Sequence, residues 1–205
     1  MQITDLLFLA AAAATVVVAC RVAWRLAFGP RASVTRIVGR WAVGAACYAT
    51  ALLGASWLQP GRVIPVGENE CFDDWCIAVT GVEHPETVET RRPSGTWLAV
   101  TLRISNRGEG RPQAEPDAYV YLRDADGREV QATAASDRDA PSIGEVVAVG
   151  QPRIVRVMFD VPKEMAAPAL VKARRSRFPG LVIIGDPVSV RHRPTMHQLS
   201  PPPAV

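Results

Sequence analysis

Two cysteines, Cys71 and Cys76, are the residues of this sequence whose spacing most directly suggests chemistry. They lie in the segment Glu70-Cys-Phe-Asp-Asp-Trp-Cys-Ile, where a bond between them would close a small loop. Disulfides persist in proteins outside the cytoplasm, so this pairing predicts an exported domain. A metal site and a redox centre are the alternatives. Zinc needs four ligands, however, and thiol oxidoreductases usually have two residues between their cysteines rather than four.

A basic cluster near the C-terminus is the second candidate site. Its four cations are Lys172, Arg174, Arg175 and Arg177, followed by Phe178-Pro-Gly. Such a cluster could bind an anionic lipid headgroup, an anionic cell-wall polymer or an acidic envelope protein. Because the chain has 21 arginines and only two lysines, a solvated loop rich in arginine is the alternative interpretation.

The other reactive side chains form no recognisable catalytic set. The three histidines, His84, His192 and His197, are scattered along the chain, and no nucleophile elbow, zinc-protease motif or phosphate-binding glycine loop occurs. No pair of carboxylates has an apolar setting that would separate two pKa values for acid and base roles. We therefore expect no enzyme activity, no cofactor and no metal. The carboxylates considered are Asp73, Asp74, Glu83, Glu86, Glu89, Asp137 and Asp139.

Two apolar runs near the N-terminus indicate in which cellular compartment these candidate sites would be located. The first run extends over about residues 3–24, and the second, residues 41–58, contains no charged residue. Both are long enough to cross a bilayer and lack the polar stripe expected of a core helix in a soluble protein, which is the alternative. They predict a transmembrane helical hairpin. Small residues such as Gly44 and Gly54 would let its helices approach closely.

Charge asymmetry predicts the orientation of this hairpin. Five arginines and no acidic residue lie in the gap between the apolar runs and at its borders, whereas the N-terminal flank offers only Asp5. Positive residues in short loops stay in the cytoplasm. We therefore expect an inner-membrane protein whose N-terminus and C-terminal domain are both extracytoplasmic. A lipoprotein signal ending at Cys20 is the alternative, but residues 1–5 lack the basic residues that such a signal needs. The five arginines are Arg21, Arg25, Arg31, Arg36 and Arg40.

The remaining chain is nearly neutral. Residues 62–205 contain 18 basic and 19 acidic residues, so the net charge of +3 comes from the segment around the apolar runs. This balance argues against a nucleic-acid partner.

Beyond residue 61 the hydrophobic pattern has a period of two. In residues 97–106 Leu98, Val100, Leu102 and Ile104 would face one side, which indicates a half-buried antiparallel strand. Asp126-Gly127 predicts a tight hairpin, although Asp124, Asp126 and Glu129 could also begin a calcium loop. Seven or eight short strands predict a β-sandwich. The expected organisation is a membrane hairpin over 1–60, a linker with the cysteine loop over 61–75, an all-β domain over 76–191 and a flexible Pro-rich tail over 192–205.

Three segments together resemble the bacterial secreted immunoglobulin-like domains of unknown function related to secreted antigens. They are Trp97 to Asn106, the hairpin Tyr121-Leu-Arg-Asp-Ala-Asp-Gly-Arg-Glu, and Val149 to Pro162 with its ending Phe159-Asp-Val-Pro. The resemblance covers roughly residues 75–190 and implies an exported immunoglobulin-like antiparallel β-sandwich without an established catalytic residue set. The sequence departs from the family at Val149-Gly-Gln-Pro, where Pro-Gly-Glu is usual. It also carries a helical hairpin where relatives have a lipid anchor or a cleaved signal.

These features predict a membrane-anchored extracytoplasmic module that binds or scaffolds in the cell envelope. Its partners would be the lipid bilayer and an unknown envelope protein or anionic cell-wall or lipid component. The alternative is an accessory subunit of a larger membrane complex, assembled through the hairpin. An envelope enzyme is a third, weaker hypothesis.

Overall fold

The protein forms two compact units in a computed structural model. The helical unit comprises residues 1–60 and 177–193, and the sandwich unit comprises residues 61–176 and 194–205. The structure describes residues 3–30, 32–58, 61–72, 74–86, 93–133, 142–175, 178–184, 189–190 and 193–199.

Two long helices dominate the helical unit, α1 over Ile3–Phe28 and α2 over Ala32–Leu58. Both are longer than the predicted spans of 3–24 and 41–58, so the expected basic loop is largely helical. The reason is that arginine is a good helix former, whereas the first strong helix breakers after the apolar run are Gly29 and Pro30. Each helix is long and apolar enough to cross a membrane, as a membrane anchor or a signal sequence would be.

A side-chain hydrogen bond joins the two helices. The Trp41 indole Nε1 donates to the hydroxyl of Thr15 over 3.2 Å, and that hydroxyl donates to the Ala11 carbonyl over 2.8 Å. The expected close approach at Gly44 and Gly54 is wrong, because a Cβ added at either glycine would have no described atom beyond its own stretch of α2 within 4 Å.

A short segment after the last long strand also belongs to the helical unit. It contains a 3-10 turn over Gly180–Val182, whereas the sequence pattern predicts one of the short strands over 181–184. The Tyr48 hydroxyl donates to the Val182 carbonyl over 2.6 Å, and the hydroxyl oxygens of Ser56 and Ser189 lie 3.3 Å apart. Ser56 and Ser189 are both buried. We call residues 178–184 and 189–190 the return segment.

Nine described strands form the two sheets of the sandwich unit. The first sheet has the order β2-β3-β4-β7 and is antiparallel throughout. The second has the order β1-β9-β8-β5-β6, in which β1 and β9 run parallel and the other pairs are antiparallel. The strands are β1 Val63–Ile64, β2 Glu70–Phe72, β3 Trp75–Glu83, β4 Thr96–Asn106, β5 Ala118–Arg123, β6 Glu129–Gln131, β7 Arg153–Val161, β8 Ala169–Arg174 and β9 Met196–His197.

The core lies between the two sheets, which confirms the predicted β-sandwich. The inward side chains of β4 are those that the period of two predicted, and Leu122 and Leu170 contribute from the second sheet. Strand β4 is more buried than expected at its start, because Trp97 and Ala99 on its other face are also buried. Gly95 immediately precedes β4. Only glycine fits at this position, because a Cβ there would lie 2.0 Å from the Val161 carbonyl oxygen.

The Asp124 turn is the predicted hairpin and not a calcium loop. Gly127 has a φ of 83°, which glycine adopts without strain, and its N–H donates to the Asp124 carbonyl over 3.1 Å. The Asp124 carboxylate accepts the Arg128 N–H over 2.8 Å. No group of three or more histidine, cysteine or acidic side chains among the described residues is placed to hold a metal ion.

Several predicted boundaries need correction. The all-β description is imprecise because of the helices, and residues 178–190 are not part of the sandwich. Residues 145–149, where the sequence pattern predicts another of the short strands, form isolated bridges and no strand. The predicted flexible tail is wrong for residues 193–199. Strand β9 lies there, because its backbone pairs with both β1 and β8 and His197 is fully buried.

Candidate functional site

The predicted disulfide is confirmed. Cys71 and Cys76 are bonded and lie directly opposite each other on β2 and β3. The bond leaves neither sulfur as a thiolate for metal binding or nucleophilic attack. Closing so short a loop stabilises the fold by about 2 kcal/mol on the loop-entropy estimate. The pair is therefore a structural bond at the start of the sandwich.

The residue before the disulfide forms a buried polar contact between the two sheets. Glu70 Oε2 lies 2.8 Å from Nε2 of His197, whose side chain is fully buried. The other ring nitrogen of His197 has no described hydrogen-bond partner. This contact connects the disulfide-bonded hairpin to the last strand. The sequence pattern does not predict this contact, because the proline content around His197 indicates a tail.

The described cations of the predicted basic cluster differ in their surroundings. The Lys172 ammonium lies 3.3 Å from the centre of the Phe72 ring and 5.5 Å from that of Trp75, as in a cation–π contact. Arg174 forms an ion pair with Glu115 over 2.5 Å. Arg175 is exposed.

Two of the four predicted cations are thus engaged in contacts within the protein. Arg177 lies outside the described residues. Binding of an anionic partner at this cluster stays a prediction, and among the described cations Arg175 is the one that lies exposed.

A pocket lined by arginine, amide and hydroxyl side chains, together with Gly150 and Pro152, is the candidate site that the structure adds to the sandwich unit. It has a volume of about 290 Å³ and lies where β4 ends, beside the loop that precedes β7. Arg103 donates to the side-chain oxygen of Asn69 over 3.5 Å. We call it the Arg103 pocket. Its lining residues are Asn69, Arg103, Ser105, Asn106, Arg107, Gly150, Gln151 and Pro152.

Asn106 fixes the backbone around this pocket. Its amide donates to the carbonyls of Arg111 and Val147 over 2.9 and 3.0 Å, and its oxygen accepts the Gly108 N–H over 2.9 Å. Because Asn106 is buried and fully hydrogen-bonded, it acts as a support and leaves ligand contacts to its neighbours.

Arginine dominates the electrostatics of the pocket. Neither Arg103 nor Arg107 has a carboxylate partner among the described residues. The adjacent Arg153 is neutralised by Glu145, with 2.6 Å between Nη2 and Oε2. Hydrogen bonds from the Ser142 backbone and from Arg153 lower the pKa of Glu145, so this carboxylate stays ionised beside the pocket.

The alternating pattern of β4 predicts the position of two of the residues that line this pocket. Arg103 and Ser105 occupy the polar positions of the alternating strand, and both lie on the face directed away from the core. Alternation cannot predict that Asn69 and Gln151, distant in sequence, border the same cavity. Some of the carboxylates and histidines considered from the sequence lie outside the described residues. They are Asp73, Glu89, Asp137, Asp139 and His192.

Comparison with known proteins gives structural similarities only. No family model and no curated protein matches the sequence. The chain is similar to the secreted protein MPT63 of Mycobacterium tuberculosis, with 14% identity, a TM-score of 0.45, and coverage of 57% of this chain and 92% of that one. It is also similar to an uncharacterised β-sandwich protein of Clostridium difficile, with 11% identity, a TM-score of 0.42, and coverage of 69% and 96%. A third similar structure is the yjhA protein of Bacillus subtilis, with 14% identity, a TM-score of 0.43, and coverage of 67% of this chain and 99% of that one.

Proposed function

We propose that this protein is a membrane-anchored, extracytoplasmic binding or scaffolding module of the bacterial cell envelope, with an immunoglobulin-like sandwich and no catalytic activity. The observation that carries the proposal is the exposure of two long apolar helices. The most apolar windows of α1 and α2 are 0% and 11% buried, whereas the core helix of a soluble protein would be mostly buried. Lipid is the environment that suits such surfaces.

Contacts of the return segment favour a permanent anchor over a cleaved signal. A signal sequence is removed from the mature protein and makes no lasting contacts. Here α2 donates a hydrogen bond from Tyr48 to Val182 and pairs Ser56 with Ser189. Removal of α2 would leave these groups without their partners.

Two further observations support an extracytoplasmic sandwich. The Cys71–Cys76 disulfide is typical of domains outside the cytoplasm. The arginines at both helix ends near the turn would hold that turn in the cytoplasm. A pair of spanning helices then places the N-terminus and the sandwich on the same, outer side.

Binding, rather than catalysis, fits the described side chains. The Arg103 pocket contains arginine, amide and hydroxyl groups but no described histidine, cysteine or carboxylate that could act as a nucleophile or general base. Sandwich loops and edges commonly provide contact surfaces, because they tolerate variation without loss of the core.

The second candidate function is an accessory subunit of a larger membrane complex. It is favoured by the open faces at Gly44 and Gly54, where an added Cβ would have no described atom beyond its own stretch of α2 within 4 Å. Small residues on such a face allow another transmembrane helix to approach closely. Purification in mild detergent distinguishes the two functions, since a subunit would retain companions in fixed stoichiometry.

The location is tested by labelling single cysteines in intact cells. In a background with Cys20→Ala and Cys47→Ala, Arg175→Cys should react with a membrane-impermeant maleimide, and Ser33→Cys should react only after permeabilisation. The reverse pattern would overturn the proposal. Photo-cross-linking from the sandwich in the same cells should then capture an envelope component, and a sandwich that captures none would contradict the binding role.

A further inference from the structure

Arg103 is an unusual cation within the sandwich unit. It is half-buried, and the described residues provide no carboxylate to pair with it. The other half-buried arginines described in this unit all form ion pairs: Arg123 with Glu129 over 3.8 Å, Arg153 with Glu145 over 2.6 Å, and Arg174 with Glu115 over 2.5 Å. Partial burial of an unpaired cation is unfavourable, and an anionic ligand would offset that cost.

A second guanidinium lines the same cavity. Arg107 is exposed, its backbone N–H donates to the Asp74 carbonyl over 2.8 Å, and its side chain has no described partner. Two guanidinium groups around one cavity suit a carboxylate or a phosphate, because each guanidinium can donate two parallel hydrogen bonds to such a group. The charge of the cavity is therefore complementary to an anion.

The rest of the lining is uncharged and combines polar side chains with Gly150 and Pro152. Ser105 contributes a hydroxyl, and Asn69 and Gln151 contribute amides, which can both donate and accept hydrogen bonds. These groups match the hydroxyls of a sugar. A volume of about 290 Å³ is at the lower end of ligand pockets and accommodates about one sugar unit.

We propose that the Arg103 pocket binds an acidic sugar through its carboxylate or phosphate, with Arg103 as the main anion ligand and Arg107 as the second. Ser105, Asn69 and Gln151 contact the sugar hydroxyls. The proposal rests on the proposed function in one respect, since an extracytoplasmic sandwich would meet such sugars in envelope polymers. It would make the protein a carbohydrate-binding module of the envelope.

Binding is tested with the purified full-length chain in nanodiscs of zwitterionic lipid at low ionic strength. Saturation-transfer NMR compares glucuronate and glucose 6-phosphate with neutral glucose. Both acids should bind and glucose should bind at least about tenfold more weakly, because it lacks the charged group. Equal binding of glucose, or no binding of either acid, would overturn the proposal.

Variants locate the site on the protein. Arg103→Gln should weaken binding of both acids by about tenfold, and Arg107→Gln by about threefold, since Arg107 is more solvated. Arg156→Gln is the matched control, because Arg156 is an exposed arginine of the same sheet that already pairs with Glu83 over 2.6 Å. Thermal unfolding checks each fold. If Arg103→Gln does not fold, binding of the two acids is measured with Arg103→Lys and Arg107→Gln instead. Unchanged binding in both of these variants would refute the proposed site.

Two further binding measurements identify which kind of molecule supplies the anion. Inorganic phosphate that binds as tightly as glucose 6-phosphate would overturn the role of the sugar. Displacement of glucuronate by nanodiscs of anionic lipid would also overturn it, in favour of a lipid headgroup. These measurements use purified protein, whereas the location is tested by labelling in cells. A sandwich that is outside the cell but binds no acidic sugar would therefore refute this inference alone.

Discussion

At the scale of single residues, arginines in this chain serve three physical purposes. Those near the helix turn carry charge that lipid excludes, as at Arg25 and Arg36. Others, such as Arg153, neutralise a carboxylate on the sandwich surface. Arg103 alone among the described half-buried arginines of the sandwich lacks a carboxylate. Residue type is the same in all cases, and the surroundings determine the role.

Asp160 is one of the residues whose hydrogen bonds make stability depend on pH. Partial burial raises the pKa of its carboxylate, but the Ser94 and Gly95 backbone N–H groups and the Ser94 hydroxyl donate to it and lower the pKa overall. A lowered pKa means that the native state favours the ionised form. This contribution to stability is present above the ordinary value of 3.8 and is lost as pH falls through the lowered pKa.

We predict that Asp160→Asn lowers the free energy of unfolding by about 1 kcal/mol at pH 7, because the amide accepts fewer of these hydrogen bonds. The difference from the natural protein should shrink as pH falls below 4. Denaturant unfolding at a series of pH values measures it.

Asp126→Asn provides the control for this prediction. The Asp126 side chain is 74% exposed and lies 3.8 Å from Arg128, so its substitution should change stability little. A stability difference for Asp160→Asn that stays constant from pH 7 to pH 3 would contradict the assignment to its charge.

At the scale of elements, α2 and the return segment depend on each other for hydrogen bonds. Tyr48 lies near the middle of the uncharged stretch 41–58, at hydrocarbon depth if that stretch spans the bilayer. Non-helical backbone is tolerated at such depth only where protein satisfies its polar groups. The Tyr48 hydroxyl does this for the Val182 carbonyl.

The contact between Ser56 and Ser189 predicts a disulfide cross-link. With Cys20→Ala and Cys47→Ala, the double substitution Ser56→Cys and Ser189→Cys should oxidise readily in membranes, because the two hydroxyl oxygens lie 3.3 Å apart. Peptide mapping without reduction detects the bond.

Gly54→Cys combined with Ser189→Cys is the matched control. A Cβ at Gly54 would have no described atom beyond its own stretch of α2 within 4 Å, so this pair should cross-link poorly. Equal cross-linking of both pairs would show that the return segment does not rest on the Ser56 face of α2.

At the scale of the whole molecule, charge is divided unequally between the N-terminal helical hairpin and the rest of the chain. The chain carries a net charge of +3, yet residues 62–205 have 18 basic and 19 acidic residues. The excess of positive charge is thus confined to the N-terminal part. Such a distribution orients a protein in a membrane without making its domain generally basic.

Moving this charge should reverse the orientation. We predict that glutamine at four helix-end arginines, together with three lysines added after Met1, makes Arg175→Cys inaccessible to the impermeant maleimide in intact cells. The Cys71–Cys76 bond should then fail to form in the reducing cytoplasm. Unchanged labelling would contradict the role of these arginines, which are Arg21, Arg25, Arg36 and Arg40.

Glutamine at four sandwich arginines is the control for charge removal. It lowers the net charge by the same amount but leaves the hairpin unaltered, so the labelling pattern should not change. The four positions are Arg107, Arg111, Arg128 and Arg156.

Sequence alone determined the features that depend on neighbours along the chain. The helices follow from apolar runs, the inward face of β4 from its period of two, the Asp126-Gly127 hairpin from the conformational freedom of glycine, and the Cys71–Cys76 bond from a short loop. Each is a local rule that holds before the chain folds.

Tertiary structure decided what depends on residues far apart in sequence. Only folding brings Glu70 to His197, Tyr48 to Val182, and Asn69 to the guanidinium of Arg103. It also engaged Lys172 and Arg174 in contacts within the sandwich, dividing a cluster that is continuous in sequence. The physical reason is that strand pairing and burial are set by the whole sheet, so a local pattern shows which face a side chain takes but not what it meets there.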